Sequence, residues 1–161
     1  MKDPLSAPFG QRFASGALAG VIGGAAHAAV NEIDRRILNH NADDLVMLGG
    51  VFTTDVGLAR RIGIGMHLTF AAIFGAAYAV LLHPKDEDDA LRKGLGFALT
   101  ENFALFPLSI PVDNHHPHAK NGNVDKFWHP LSLIEATARH TALGIGIGKA
   151  YPRMLAVVRG R

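Results

Sequence analysis

The sequence predicts an all-α fold: an integral-membrane four-helix bundle with a long histidine-rich loop between its third and fourth helices. Three observations carry that prediction. The segment Ile62 to Leu82, "IGIGMHLTFAAIFGAAYAVLL", is 21 residues without a formal charge, and as a helix it spans about 30 Å, the thickness of a bilayer core. Three further stretches, residues 14–33, 94–111 and 131–151, approach the same length but carry polar groups. Charged residues make up 19% of the chain, below the roughly one quarter usual in soluble domains. A soluble protein of 161 residues has too little else to wrap a helix apolar all round. One transmembrane domain, residues 1–161, therefore accounts for the whole chain.

The first helix is "ASGALAGVIGGAAHAAVNEI", Ala14 to Ile33. Gly16, Gly20 and Gly24 recur every fourth residue, the spacing at which membrane helices bring their backbones close. His27 sits among alanines, as a packed, hydrogen-bonded residue or as a ligand. The "AHA" of Ala26 to Ala28 also resembles a leader-cleavage site, although the run before it is rich in glycine and poor in leucine for a signal peptide. Next, "NADDLVMLGG" at Asn41 to Gly50 reads as a short surface helix with Asn41 as cap and a diglycine stop.

Thr54 and Asp55 form a plausible cap for the second long helix, whose Arg60 and Arg61 would then snorkel to the headgroups. The third, "GLGFALTENFALFPLSIP" at Gly94 to Pro111, holds Glu101 and Asn102 near its middle, and Pro107 should kink or end it. The fourth, "LSLIEATARHTALGIGIGKAY" at Leu131 to Tyr151, repeats the small-residue spacing at Gly144 and Gly148. Its Ser132 and Glu135 match a capping box. Glu135 and Arg139 also stand four apart in the favourable acid-first order. Trp128 and Tyr151 bracket the segment as interfacial aromatics do.

Positive charge sets the expected orientation. With both termini in the cytoplasm, that side holds Lys2, Arg12, Lys85, Arg92, Lys93, Lys149, Arg153, Arg159 and Arg161, nine against six on the other side. The six are Arg35, Arg36, Arg60, Arg61, Lys120 and Lys126. A bacterial inner membrane is the expected location, with the histidine loop facing outward. The partners are then the lipid bilayer and, through the glycine faces, a second copy or a larger membrane complex. Scattered lysines and arginines with a net charge of +2 give no basic stripe for nucleic acid.

Chemistry-bearing residues fall in two groups. Inside the helices are His27, His67, Glu101, Asn102, Glu135, Arg139 and His140, which ionisable-residue costs in hydrocarbon direct toward a protein interior or wet cavity. Glu101 has no basic residue four positions away on either side. It must stay protonated or find a partner on another helix, from Arg139, His140 or His67. The group permits a proton or ion relay through Glu101, His67 and His140, or a haem b held axially by His67 and His140. The second group is the loop "PVDNHHPHAKNG", with three of the nine histidines within four positions. Asp113, His115, His116, His118 and His129 supply enough donors for a divalent metal, but "HHPH" fits a solvated, titrating loop equally well. Without cysteine there is no disulfide, thiolate site or thiol catalysis. No nucleophile elbow, phosphate loop or HExxH points to catalysis.

From the second helix onward the chain resembles the YagU-like family of small bacterial inner-membrane proteins. The resemblance rests on "GMHLTFAAIFGAAYAVLLHP" at Gly65 to Pro84, on the proline-bearing third helix, and on "EATARH" at Glu135 to His140. It covers roughly half of the residues. The chain departs from the family pattern with Glu101 and Asn102 in place of a third-helix histidine, and with a loop far richer in histidine. The resemblance implies a four-helix inner-membrane protein tied to acid tolerance, and no reaction. The expected role is a structural or accessory component rather than an enzyme.

Overall fold

In the computed structural model, residues 7–160 are described; Lys2 and Arg161, counted above for orientation, lie outside them. The regular structure of the described residues is all helical, without strands. Four long helices carry the architecture: α1 (Phe9–Ile37), α3 (Val56–Leu82), α4 (Glu87–Leu105) and α7 (Pro130–Val158). Between them lie α2 (Asp44–Gly49), a 3-10 turn (Phe106–Leu108), α5 (Ser109–His115) and α6 (Pro117–Lys120).

The long helices alternate in direction. One end of the molecule holds the start of α1, the α3–α4 turn and the end of α7; the other holds α2, α5 and α6. Helix α1 packs on both α3 and α7, and α7 packs in turn on α4. Helices α3 and α4 meet near their connecting turn, where Phe74 stacks on Phe97 at 4.4 Å and the Tyr78 hydroxyl donates to the Ala90 carbonyl at 2.6 Å. Toward the other end they separate.

Helix α1 is built inside out. Its buried face is Ser15, Gly16, Ala19, Gly20, Gly23, Gly24, His27, Asn31 and Asp34, whereas Phe13, Leu18, Val21 and Ile22 are exposed. Small residues inside and large apolar ones outside suit a helix whose solvent is lipid, where close packing rather than expulsion of water joins helices. A Cβ on Gly20 would collide with the carbonyl of Ala71, and one on Gly16 with that of Gly75. Gly24 would meet the Ala71 side chain. On the other seam, a Cβ on Gly144 would lie 2.8 Å from the Gly94 carbonyl, and one on Gly148 2.7 Å from the Leu91 Cα.

Three helical stretches, Phe9–Ile37, Val56–Leu82 and Glu87–His115, are long and apolar enough to cross a membrane. The fourth expected span, 131–151, falls on α7, which is not among them. Helix α7 carries Glu135, Arg139, His140 and Lys149 along its length. Its Glu135, Arg139, Leu143, Ile147 and Tyr151 are buried while Ile134, Ile145 and Val157 are exposed, so like α1 it packs on two helices and keeps an outward apolar face.

Several local expectations change. The segment at Asn41 to Gly50 is not a surface helix: Leu45, Val46 and Gly49 are buried against α3. Its cap is Asp43, whose carboxylate accepts from the amides of Leu45 and Val46. Glu135 does not close a capping box, because His129 caps α7 through Nδ1 and the Ser132 hydroxyl donates to the Lys126 carbonyl. Tyr151 is fully buried, edge-on to Tyr78 at 5.8 Å, and marks no interface. Trp128 is exposed, beside Phe106. Arg60 pairs with Glu32 and, at 3.5 Å, with Asp43 rather than reaching outward. At Pro107 the third helix tightens into its 3-10 turn before continuing as α5. Pro152 lies within α7 without ending it.

Candidate functional site

Where α3 and α4 separate, a cavity of about 550 Å³ opens between them. Its walls are Phe70 and Phe74 of α3, Leu105 of α4, and Phe106, Leu108 and Phe127 from the segments above. Six of the seven polar residues named from the sequence line it: His27, His67, Glu101, Asn102, Arg139 and His140. Helical geometry explains the gathering, since α1, α3, α4 and α7 each present these residues at similar depth. Toward the termini the cavity is floored by Leu143, below which Ile147, Tyr78 and Tyr151 form the closed core.

Arg139 anchors the polar side. Its guanidinium donates through Nε and Nη2 to Asp34 at 2.7 and 2.9 Å, and through Nη1 to Asp44 at 2.9 Å and the Ala42 carbonyl at 2.8 Å. Glu135, one turn away, lies 3.7 Å from it. The helical pair expected from the sequence is thus its weakest contact. Burial alone would push the Asp44 carboxyl up, but Arg139 and the other cationic neighbours outweigh it and hold the group below the usual carboxylate range. Glu135 instead meets His40, whose Nδ1 is 2.8 Å from Oε2.

Glu101 is paired with His140, Nε2 to Oε2 at 2.8 Å. The other nitrogen of His140 is 2.8 Å from the Ala136 carbonyl, which only accepts, so Nδ1 must carry a hydrogen. With Nδ1 protonated, the Nε2 contact needs one more proton, placed on the imidazole or on the carboxyl. The pair therefore holds one ionisable proton between them. His27 lies between the other two histidines, its ring 4.6 Å from that of His67 and 5.1 Å from that of His140. Its Nε2 is 3.8 Å from Asp44, and its Nδ1 has no hydrogen-bond partner. His67 Nε2 donates to the Gly24 carbonyl at 3.0 Å. Asn102 donates to Thr137 Oγ1 at 3.2 Å.

This arrangement does not fit a haem between His67 and His140. The His27 ring occupies the space between them, and both Nε2 atoms are committed to other partners. Nor does the loop assemble a metal centre: among the described residues no group of three or more metal-binding side chains is placed to hold an ion. Asp113 accepts from the amides of Phe127 and Trp128, both at 2.8 Å. His118 is buried, donating through Nε2 to the Thr53 carbonyl at 2.9 Å and accepting at Nδ1 from Asn123 at 3.1 Å. His129 is the cap of α7, and His115 is exposed. His116 is buried beside His118; burial chiefly, then the neighbouring imidazole, holds its pKa below the ordinary 6.5, against a weak opposing effect of the Met47 backbone. The histidine segment is thus largely folded as α5 and α6 rather than a solvated loop.

The sequence reading missed Asn31, Asp34, His40, Asp43 and Asp44. A signal was available for two of them. His27, Asn31 and Asp34 stand at i, i+4 and i+7, continuing the stripe that begins at Gly16, Gly20 and Gly24. Asp43 donates nothing and receives Asn31 Nδ2 at 3.2 Å and Arg35 at 3.0 Å, contacts that only the folded chain reveals.

The described residues form an all-helical fold with three helices long and apolar enough to cross a membrane, and a mainly apolar cavity that carries a cluster of polar side chains. Comparison of the chain with family models, curated proteins and solved structures gives no match.

Proposed function

We propose that this is a small four-span protein of a bacterial inner membrane, of the YagU-like kind, acting as an accessory component through its cavity. The observation that carries the reading is the cavity itself: apolar walls around Glu101, His140, His67 and Asp44, between α3 and α4. Ionisable groups are retained at membrane depth where they serve a site. The exposed apolar faces of α1, α3 and α4 supply the lipid contact, and the polar α7, held among them, is the fourth span. Both termini then lie in the cytoplasm, and α2, α5 and α6 lie on the outward side.

A conducting protein is less well supported, because Leu143, Ile147, Tyr78 and Tyr151 close the path toward the termini. Reporter fusions at Gly122 and after the last residue test the topology. Opposite sidedness is expected, and the same sidedness for both removes the four-span reading. Blue-native electrophoresis of gently solubilised membranes tests the accessory role. A species larger than the micelle-bound monomer, with a stoichiometric second protein, is expected; a lone monomer refutes it.

A further inference from the structure

The cavity has a charge imbalance that its apolar walls make consequential. Asp44 and Glu101 line it, Asp34 and Glu135 stand outside the lining, and Arg139 is the guanidinium that meets Asp34, Asp44 and Glu135. Arg35 and Arg60 are engaged with Asp43 and Glu32, and Arg36 is turned to solvent. Arg139 is itself 1% exposed and its donors are occupied, so it offers nothing to an incoming anion. What remains against the excess carboxylates is one histidine each: His27 by Asp44, His40 by Glu135 and His140 by Glu101. His67 faces the same space from α3, committed to the Gly24 carbonyl.

Of these carboxylates Glu101 is the most open to the cavity, with its side chain 31% exposed. Phe70, Phe74, Phe106 and Phe127 line the same cavity. Aromatic faces attract cations, the more so away from water. Resting on the membrane reading above, we infer that this cavity binds a hydrophobic organic cation, its charge set on Glu101 and its apolar body among the phenylalanines. Binding displaces the proton held by the Glu101–His140 pair. The balance is simple: the cation takes the carboxylate, one proton leaves to water, and His140 remains neutral with Nδ1 still donating to Ala136. No bond to carbon forms or breaks.

Tetraphenylphosphonium is a suitable probe, with tetraphenylborate as an anion of the same shape. The full-length protein in a non-ionic detergent is titrated by equilibrium dialysis, and in weak buffer near neutral pH with a pH electrode. Saturable binding of the cation is expected, with release of about one proton per cation bound where the pair is fully loaded. Tetraphenylborate should not saturate the site. Glu101→Gln should weaken cation binding by about tenfold or more, the order expected for a lost ionic contact. His140→Gln should keep binding but lose the proton release, which also covers the case in which Glu101→Gln fails to fold. Equal binding of the two ions, parent-like binding by Glu101→Gln, or undiminished proton release from His140→Gln would each overturn the inference. Because these measurements are made in detergent, they fail independently of the topology fusions. Correct sidedness without cation binding leaves the membrane reading in place.

Discussion

Replacing Arg139 by glutamine tests the centre of the polar network. The guanidinium makes four hydrogen bonds of 2.7–2.9 Å, three of them to the carboxylates of Asp34 and Asp44, and is 1% exposed. Glutamine keeps some volume and two donors but no charge, so both carboxylates stay buried without their cation. Removing one partner of a buried ion pair costs about 3–5 kcal/mol. Asp34 and Asp44 retain side-chain exposures of 10% and 18%, which gives water partial access and places the expected loss near 3 kcal/mol. The assay is reversible unfolding in mixed micelles of Arg139→Gln, Asp34→Asn and the double variant. The double variant should cost less than the two single losses together, by about 1–3 kcal/mol, since the second change removes a charge the first left stranded. An Arg139→Gln protein as stable as the parent would refute the buried network. Strict additivity would refute the Asp34 contact.

Gly20→Leu should lower the melting temperature markedly in detergent, because the added side chain meets the Ala71 backbone, whereas Leu18→Ala should have a small effect at its 46% exposed position. Equal melting of both variants with the parent would place the glycine stripe against lipid. His118→Ala removes contacts to Thr53 and Asn123 and should cost about 1–3 kcal/mol; limited proteolysis near Gly122 should accelerate, and unchanged cleavage counts against the tie. The pH dependence of the cap follows from His116, whose folded pKa lies below 6.5. Unfolding would let it bind a proton more readily, so its contribution is full above pH 6.5 and declines as pH falls through and below that value. Hydrogen exchange of residues 116–124 should therefore speed up relative to the helices on acidification, and a flat profile would contradict the burial of this ring.

Much of the architecture was legible because membrane helices announce themselves by length. The charge-free run at Ile62 to Leu82 falls entirely within α3, and the glycines at positions 16, 20 and 24 lie on the face that meets it. The site was legible as a set of residue types, since an acid or histidine within an apolar run has few neutral explanations. Pairing was not legible. Spacing favoured Glu135 with Arg139, but in the fold Arg139 reaches across to Asp34 and Asp44, and Glu135 to His40. These partners are about a hundred residues apart, and no local rule connects them. The histidine segment misled for the opposite reason: "HHPH" looks like a ligand cluster, yet α5 ends at His115, which is exposed, while His116 and His118, on either side of the Pro117 that starts α6, are packed inward.

The α1–α3 seam sets an unusual order of mutational tolerance. In a water-soluble core truncations leave a void, and an added methyl costs about 1–3 kcal/mol, taken up partly by shifts of neighbouring side chains. At Gly16, Gly20 and Gly75 the neighbours are main-chain carbonyls and α-carbons of the opposing helix, which have no rotamers to adjust. The smallest possible enlargement, glycine to alanine, must therefore move a helix as a rigid body, while the large residues on the outer face, such as Ile22 and Ile73, tolerate exchange for other apolar residues. Along this seam, sensitivity to substitution should run opposite to side-chain size.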